Sequence, residues 1–194
     1  MKTEMDGDME SEGLAADARR LLADSTLPAQ VRQLLAGGGR LERIVLDAEG
    51  QWRHEGEPFQ NAALIALFSR SLQRTPGGTW VLHIPPFTYP IELSDTPYYV
   101  RSVRCQGTQV VLSVSDDSQE PLDPATLRYV EGRGLYCRVK GRPGYAARLL
   151  RPAYFALANQ ITQEADGYFL VLAGQRSRIR EATWEQARGG SDPP

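Results

Sequence analysis

Between Gly132 and Arg151 the chain reads GRGLYCRVKGRPGYAARLLR, a stretch that holds six basic residues and no acid. Arg138, Lys140 and Arg142 alternate with Val139 and Gly141, so in an extended strand all three point to one face. Arg148 and Arg151 follow, just ahead of a helix expected to begin at Pro152. The N-terminus of that helix adds partial positive charge and free N–H groups near Arg151. Guanidinium groups with such support suit bidentate recognition of phosphate or carboxylate. The competing reading is a solvated strand face paired with the acidic loop DDSQEPLD at 116–123.

Other chemistries find no comparable support. His54 and His83 are the two histidines, and neither they nor Cys105 and Cys137 show a metal-ligand spacing. Gly-x-Ser-x-Gly and Ser-x-x-Lys are absent, so no serine nucleophile is marked. GRGLYCRVKG fails both phosphate-loop patterns, because Cys137 stands at the third glycine position and the glycines flank a strand. Asp116 and Asp117 sit in a loop where solvated acids are ordinary. No catalytic residue, metal or cofactor is expected, and the chain is read as a non-enzyme.

Composition bounds the class. The chain has 194 residues, 41% of them hydrophobic and 24% charged, with a formal net charge of −2. That is an ordinary soluble globular balance. The longest apolar runs, AALIALF and YFLVLA, are too short to span a bilayer. The N-terminal MKTEMDGDMESEG is acidic and lacks the apolar core of a signal peptide. A cytoplasmic protein with no membrane partner follows. Nucleic acid is not expected either, since no long track interleaves basic and aromatic residues. Cys105 and Cys137 both fall in strand-like runs and read as small buried thiols, with a redox pair as the alternative.

The elements that would position the basic residues form an α+β fold. Residues 1–40 read as an acidic tail plus two short helices broken at Pro28, set apart by the glycines at 37–39. An N-terminal unit, 41–97, contains the strands RIVLD and QWRHEG, a helix entered at Pro58, and the strand TWVLHI. A C-terminal unit, 98–183, begins with the hairpin PYYVRSVRC and QVVLSVSD. It continues with the strand GLYCRVK, the loop RPGYAAR, the helix RPAYFALANQITQE and the hairpin YFLVLA and RSRIR. Residues 184–194 are expected to be a disordered tail. Shifting the sequence by ninety positions sets Leu67 on Leu157 and Ala63 on Ala153. A deletion in the turn then sets Gly78 on Gly167. Two similar strand–helix–hairpin units, mostly antiparallel, therefore point to an internal duplication. Chance similarity between ordinary helix–hairpin units is the other explanation.

Between the units lies PIELSDTPYYV. Pro97 cannot donate to a ladder and forces a strand end, while Asp95 can bond its own backbone as turn aspartates do. A turn accounts for these residue types, and a polar binding corner made by Asp95 and Tyr98 is the alternative.

LDAEGQWRHEGEPFQNAALIALFSRSL, PIELSDTPYYV and LYCRVKGRPGYAARLLRPAYFALA together resemble a bacterial family known as domain of unknown function 1285, over about residues 41–182. The resemblance implies a duplicated helix-plus-sheet core with a C-terminal half like a pleckstrin-homology barrel. It also implies a nucleotide-like ligand between the halves and a role in signal transduction. The family's Trp and Gly of the first unit fall on Trp52 and Gly56. Its acid-x-Pro-aromatic corner falls on Asp95, Pro97 and Tyr98, and its arginines before the second helix on Arg148 and Arg151. This sequence departs from the family at Asn61, where an arginine is usual, and at IPPFTY, which lacks a charge. The expected ligand-binding set is Trp52, Asn61, Asp95, Tyr98, Arg138, Lys140, Arg148 and Arg151, taking an anionic small molecule. The alternative is a protein-interaction scaffold that docks a partner through exposed Phe87, Tyr89, Tyr98 and Tyr99 or through the N-terminal helices.

Overall fold

The computed structural model describes residues 17–142 and 144–189; the acidic stretch at 4–12, Pro143 and residues 190–194 lie outside the described residues. A helical stretch over 17–22 and helix α1 (Ala29–Ala36) lead into β1 (Ile44–Leu46), β2 (Trp52–His54) and β3 (Glu57–Pro58). Helix α2 (Ala62–Arg70) follows, then β4 (Leu72–Arg74), β5 (Trp80–Ile84), β6 (Phe87–Pro90) and β7 (Glu92–Leu93). Strands β8 (Tyr98–Gln106), β9 (Gln109–Val114) and β10 (Gln119–Pro121) come next. The chain then runs through β11 (Arg128–Val130), β12 (Gly134–Val139), β13 (Tyr145–Leu149), helix α3 (Arg151–Ala158), β14 (Ile161–Glu164), β15 (Gly167–Leu172), β16 (Gln175–Glu181) and helix α4 (Trp184–Arg188).

One layout occurs twice. β1 is antiparallel to β2 and parallel to β7; β11 is antiparallel to β12 and parallel to β16. β2 and β3 form a hairpin before α2, as β12 and β13 do before α3. Each helix then feeds an antiparallel meander, β4-β5-β6 or β14-β15-β16. The two copies are therefore β-β-β-α-β-β-β units, with β6 and β7 of the first together in the place of β16. Strands β8–β10, read from the sequence as the start of the second unit, have no counterpart in the first.

Register corrects the alignment of the copies by one residue. Leu72 pairs with Leu82, and Ile161 with Leu170, all turned toward apolar cores. Leu72 thus matches Ile161, and Phe68 matches Leu157. Both members of that helical pair are buried, whereas Leu67 is 38% exposed. Asn61 accordingly matches Leu150 rather than Arg151. The β4–β5 loop, closed by Thr75 and Thr79, is also one residue longer than the loop closed by Glu164 and Gly167.

Two element boundaries differ from expectation. Helix α2 starts at Ala62, not at Pro58, because Asn61 caps it by accepting from the Ala63 and Leu64 amides. RPGYAAR is not a loop: its second half is β13. The alanines there carry little strand propensity, but both are fully buried between neighbouring strands and α4, and packing decides.

The fold is α+β with mostly antiparallel pairing. The larger sheet runs β10-β9-β8-β13-β12-β11-β16-β15-β14. It ends in β10 and β14 and stays open, so the second half does not close into a barrel. Its core face gathers Val100, Leu112, Leu135, Val139, Leu157 and Leu170. The first unit has a smaller core of Leu46, Trp52, Phe68, Leu72, Leu82 and Ile91, completed by Tyr99 reaching in from β8. Tyr99 is fully buried, and its hydroxyl donates to the Asp47 carbonyl. Gly50 makes room for it, since a Cβ there would stand 3.0 Å from the ring, and its φ of 76° suits glycine.

The termini are more ordered than expected. Leu27 and Leu35 are buried, and Asp24 bonds to Thr75 of the first unit, so the N-terminal helices pack on the body. In the supposed C-terminal tail, α4 is held by a capping box between Thr183 and Gln186. Cys137 is buried, and burial pushes its thiol up to about 12. Cys105 is exposed, contrary to the reading of two buried thiols. Among the described residues, no helix is long and apolar enough to cross a membrane.

Candidate ligand cleft

A cleft of about 1190 Å³ opens between the two units. The first unit contributes the β4–β5 turn with Arg74, Gly77 and Trp80, and the β7 edge with Glu92. The second contributes Arg138, Lys140, Arg142 and Tyr145 around the β12–β13 turn, and Arg188 from α4. Trp80 and Tyr145 meet edge to face, their ring centroids 5.2 Å apart across the join. Aromatic surface thus sits beside a set of cations. Among the described residues, Arg74 and Arg188 have no carboxylate partner: Arg74 donates to the Gly78 carbonyl, and Arg188 lies over the Trp184 ring.

The acidic loop reaches the same cations. Lys140 Nζ lies 2.8 Å from Asp116 Oδ2 and 3.6 Å from Glu120 Oε1, and Arg142 pairs with Asp123. Burial would raise the Asp116 pKa, but hydrogen bonds from Lys140 and Ser118 outweigh it and hold the carboxyl below its usual value. The reading of a basic face paired with the acidic loop therefore holds for Lys140 and Arg142. Nor do the three cations share a strand face. Lys140 lies just past the end of β12 with φ 66°, which turns it toward Asp116 and to 5.4 Å from the Tyr98 ring centroid. Arg138 stays on the opposite face with Tyr136 and donates to the Gly189 carbonyl.

Asp95 is a buried junction. Its side chain is inaccessible to solvent. Oδ1 accepts from Trp184 Nε1 at 2.7 Å, and Oδ2 accepts from the Tyr136 hydroxyl at 2.9 Å and from Arg148 at 3.2 Å. Arg148 also donates to the Ala48 and Arg133 carbonyls. One carboxylate thus ties the exit of the first unit to β12, β13 and α4. Burial first, and then the Asp95 carboxylate, push the Tyr136 hydroxyl up to about 12.

The expected ligand set divides accordingly. Arg138 and Lys140 line the cleft, and Asp95 reaches its edge with its carboxylate already engaged. Arg148 is engaged in the Asp95 junction and does not line the cleft. Trp52 is 2% exposed and donates to Ser69 Oγ, so it belongs to the core. Asn61 is spent on its helix cap. Tyr98 is buried between Trp80 and Tyr145, and burial together with the Asp116 charge pushes its hydroxyl up to about 12. Arg151 lies over Phe155 on the surface of α3 and does not line the cleft. Of the aromatics assigned to a docking surface, Tyr98 and Tyr99 are buried and Tyr89 donates to the Glu42 carbonyl, leaving Phe87 exposed. Sequence reasoning passed over Arg74, Trp80, Tyr145 and Arg188. They come from separate segments, and only the pairing of β4 with β5 and of β12 with β13, with α4 seated against the second unit, brings them together.

No family model matches the chain, and no curated protein matches it. Its fold is similar to that of a DUF1285 family protein from Silicibacter pomeroyi DSS-3. The TM-score is 0.56 at 18% identity, over 71% of this chain and 79% of that one. A DUF1285 family protein from Shewanella baltica OS155 is similar at TM-score 0.48 and 17% identity, over 61% of this chain and 92% of that one. The chain has the fold of the first, as the sequence resemblance implied.

Proposed function

We propose that this is a non-enzymatic, cytoplasmic module that binds an anionic small molecule in the cleft between its two units and serves signalling. The observation that carries the reading is the placing of Arg74 and Arg188, two cations without carboxylate partners among the described residues, around the Trp80–Tyr145 pair. A ligand with a flat ring next to a phosphate or carboxylate, nucleotide-like in that sense, would stack on the aromatics and meet the guanidinium groups. Arg138 and Lys140, already hydrogen-bonded, would supply field more than new bonds.

A thermal-shift panel of nucleotides and phosphorylated metabolites tests this. Ligand at a hundredfold its Kd should stabilise by about 2.7 kcal/mol, a rise of roughly 5–10 °C. Paired Arg74→Ala and Arg188→Ala changes should abolish most of that rise. A flat response over the whole panel would reject the reading.

A further inference from the structure

The cleft has a third wall. Asp17, Arg20, Leu21, Ala23 and Asp24, from the segment before α1, also line it. Asp24 holds that segment to the first unit. Its side chain accepts from the Thr26 amide at 2.9 Å, from the Thr26 hydroxyl, and across the join from the Thr75 hydroxyl. Thr26 Oγ1 accepts in turn from the Gly77 amide at 3.1 Å. Thr75 Oγ1 also accepts from the Thr79 amide, which orients its own proton toward Asp24.

The seat is shaped for this carboxylate. A Cβ on Gly77 would stand 1.9 Å from Asp24 Oδ1, so the β4–β5 turn can take Asp24 only where a glycine leaves space. Asp24 is 4% exposed. Burial alone would raise its pKa, but hydrogen bonds from Thr26, Thr75 and Thr79 outweigh it and hold the carboxyl well below the usual range. It is therefore charged at neutral pH, and its bonds are of the stronger, charge-assisted kind. Arg20, one turn earlier, pairs with Asp17 at 3.3 Å in an exposed arrangement. Such pairs are weak, so an incoming anion can draw Arg20 away from Asp17.

We propose that residues 17–27 are a latched wall of the binding cleft, that the Asp24–Thr75 contact is the latch, and that Arg20 is the anion-contacting residue this wall contributes. The inference rests on the anion-binding reading above and adds a third set of residues to it. Asp24 acts as a positioning residue, since it is engaged with the turn and a carboxylate has no donor to offer an anion.

The full chain is compared with Gly77→Ala, Thr75→Val and Arg20→Ala by hydrogen exchange and by titration with phosphate, pyrophosphate and ATP. Gly77→Ala and Thr75→Val should each speed amide exchange across 17–27 while leaving β8 and β9 unchanged. They should also weaken the best-bound of the three anions about tenfold, the loss of roughly one charged contact. Arg20→Ala should weaken it severalfold with exchange across 17–27 unaltered. Two results overturn the latch: unchanged anion affinity in both latch variants although exchange has risen, or unchanged exchange in both. Failure of the wild-type chain to bind any of the three anions would instead reject the function reading and Arg20's role with it. Exchange in the two variants then decides the latch alone.

Discussion

The two copies of the β-β-β-α-β-β-β unit close their cores differently. In the first, no further strands extend the two small sheets, and bulky aromatics fill the space. Trp52 meets Phe68 edge to face, Phe59 meets Phe68, and Tyr99 enters from outside. In the second, register puts Leu135 where Trp52 stands, because β8–β10 extend the sheet and bring Val100, Leu112 and Val114 into the core. An added meander thus replaces a tryptophan. The first copy depends on its neighbour, through Tyr99, more than the second depends on the first.

Asp95 lies at the join, and its loss should have the largest effect. Asp95→Ala strands the Arg148 guanidinium and leaves the Tyr136 hydroxyl and Trp184 N–H without their acceptor. Removing one member of such a buried group costs about 3–5 kcal/mol. Melting should fall by roughly 6–20 °C, against almost nothing for Arg142→Ala, whose pair with Asp123 is exposed on the arginine side. A melting temperature for Asp95→Ala within a degree or two of wild type would show that the units do not depend on this carboxylate. Next come the matched core positions. Trp52→Ala should cost about 3–5 kcal/mol and Leu135→Ala about 2–5 kcal/mol. Hydrogen exchange separates them: Trp52→Ala should loosen α2 and β4–β6 and spare β12 and β13, while Leu135→Ala should loosen the large sheet throughout. Equal loosening of both units by either change would break the asymmetry.

The repeat was legible because hydrophobic spacing and glycine turns recur in both units, so the helices and hairpins stand out in the residue pattern alone. The one-residue error in their alignment came from matching Leu67 to Leu157 by identity, when burial pairs Leu157 with Phe68. β13 was missed because alanines signal nothing locally. Arg148 and Asp95 read as ligand-binding residues, but a sequence cannot tell a guanidinium held by a buried carboxylate from an arginine awaiting a ligand. That distinction needs depth, and depth here is set by α4, in a segment that reads as a polar tail. The cleft was legible from one side only. Its basic residues formed a visible run, while Arg74, Trp80 and Arg188 were scattered along the chain.

Two electrostatic clasps, one closing on each copy from outside it, differ in what they hold. Asp24 fixes the N-terminal segment to the first unit, and Asp116 fixes the acidic loop to Lys140 in the second. Both carboxyls lie below their usual pKa in the folded chain. Their contribution is therefore complete above the unfolded value of about 3.9 and is lost as pH falls through the folded values. Stability should decline with acid below about pH 4, and Asp24→Asn or Asp116→Asn should each flatten that decline in pH-dependent denaturant melts. If neither does, the acid sensitivity arises elsewhere.

The smallest expected effect is at the helix starts. Asn61 accepts from two amides of α2 at 3.0 and 3.1 Å. Its match Leu150 offers α3 no side-chain acceptor, and Pro152 removes one of the amides that would need one. Asn61→Ala should therefore cost about 1 kcal/mol and lower the melting temperature by roughly 2–4 °C, with anion binding unchanged because Asn61 lies outside the cleft. Asn61→Asp should retain the cap and gain slightly from the helix dipole. Anion affinity that falls with Asn61→Ala would return this residue to the binding site and show the cleft to extend past α2, an arrangement the second unit, with Leu150 in that place, does not share.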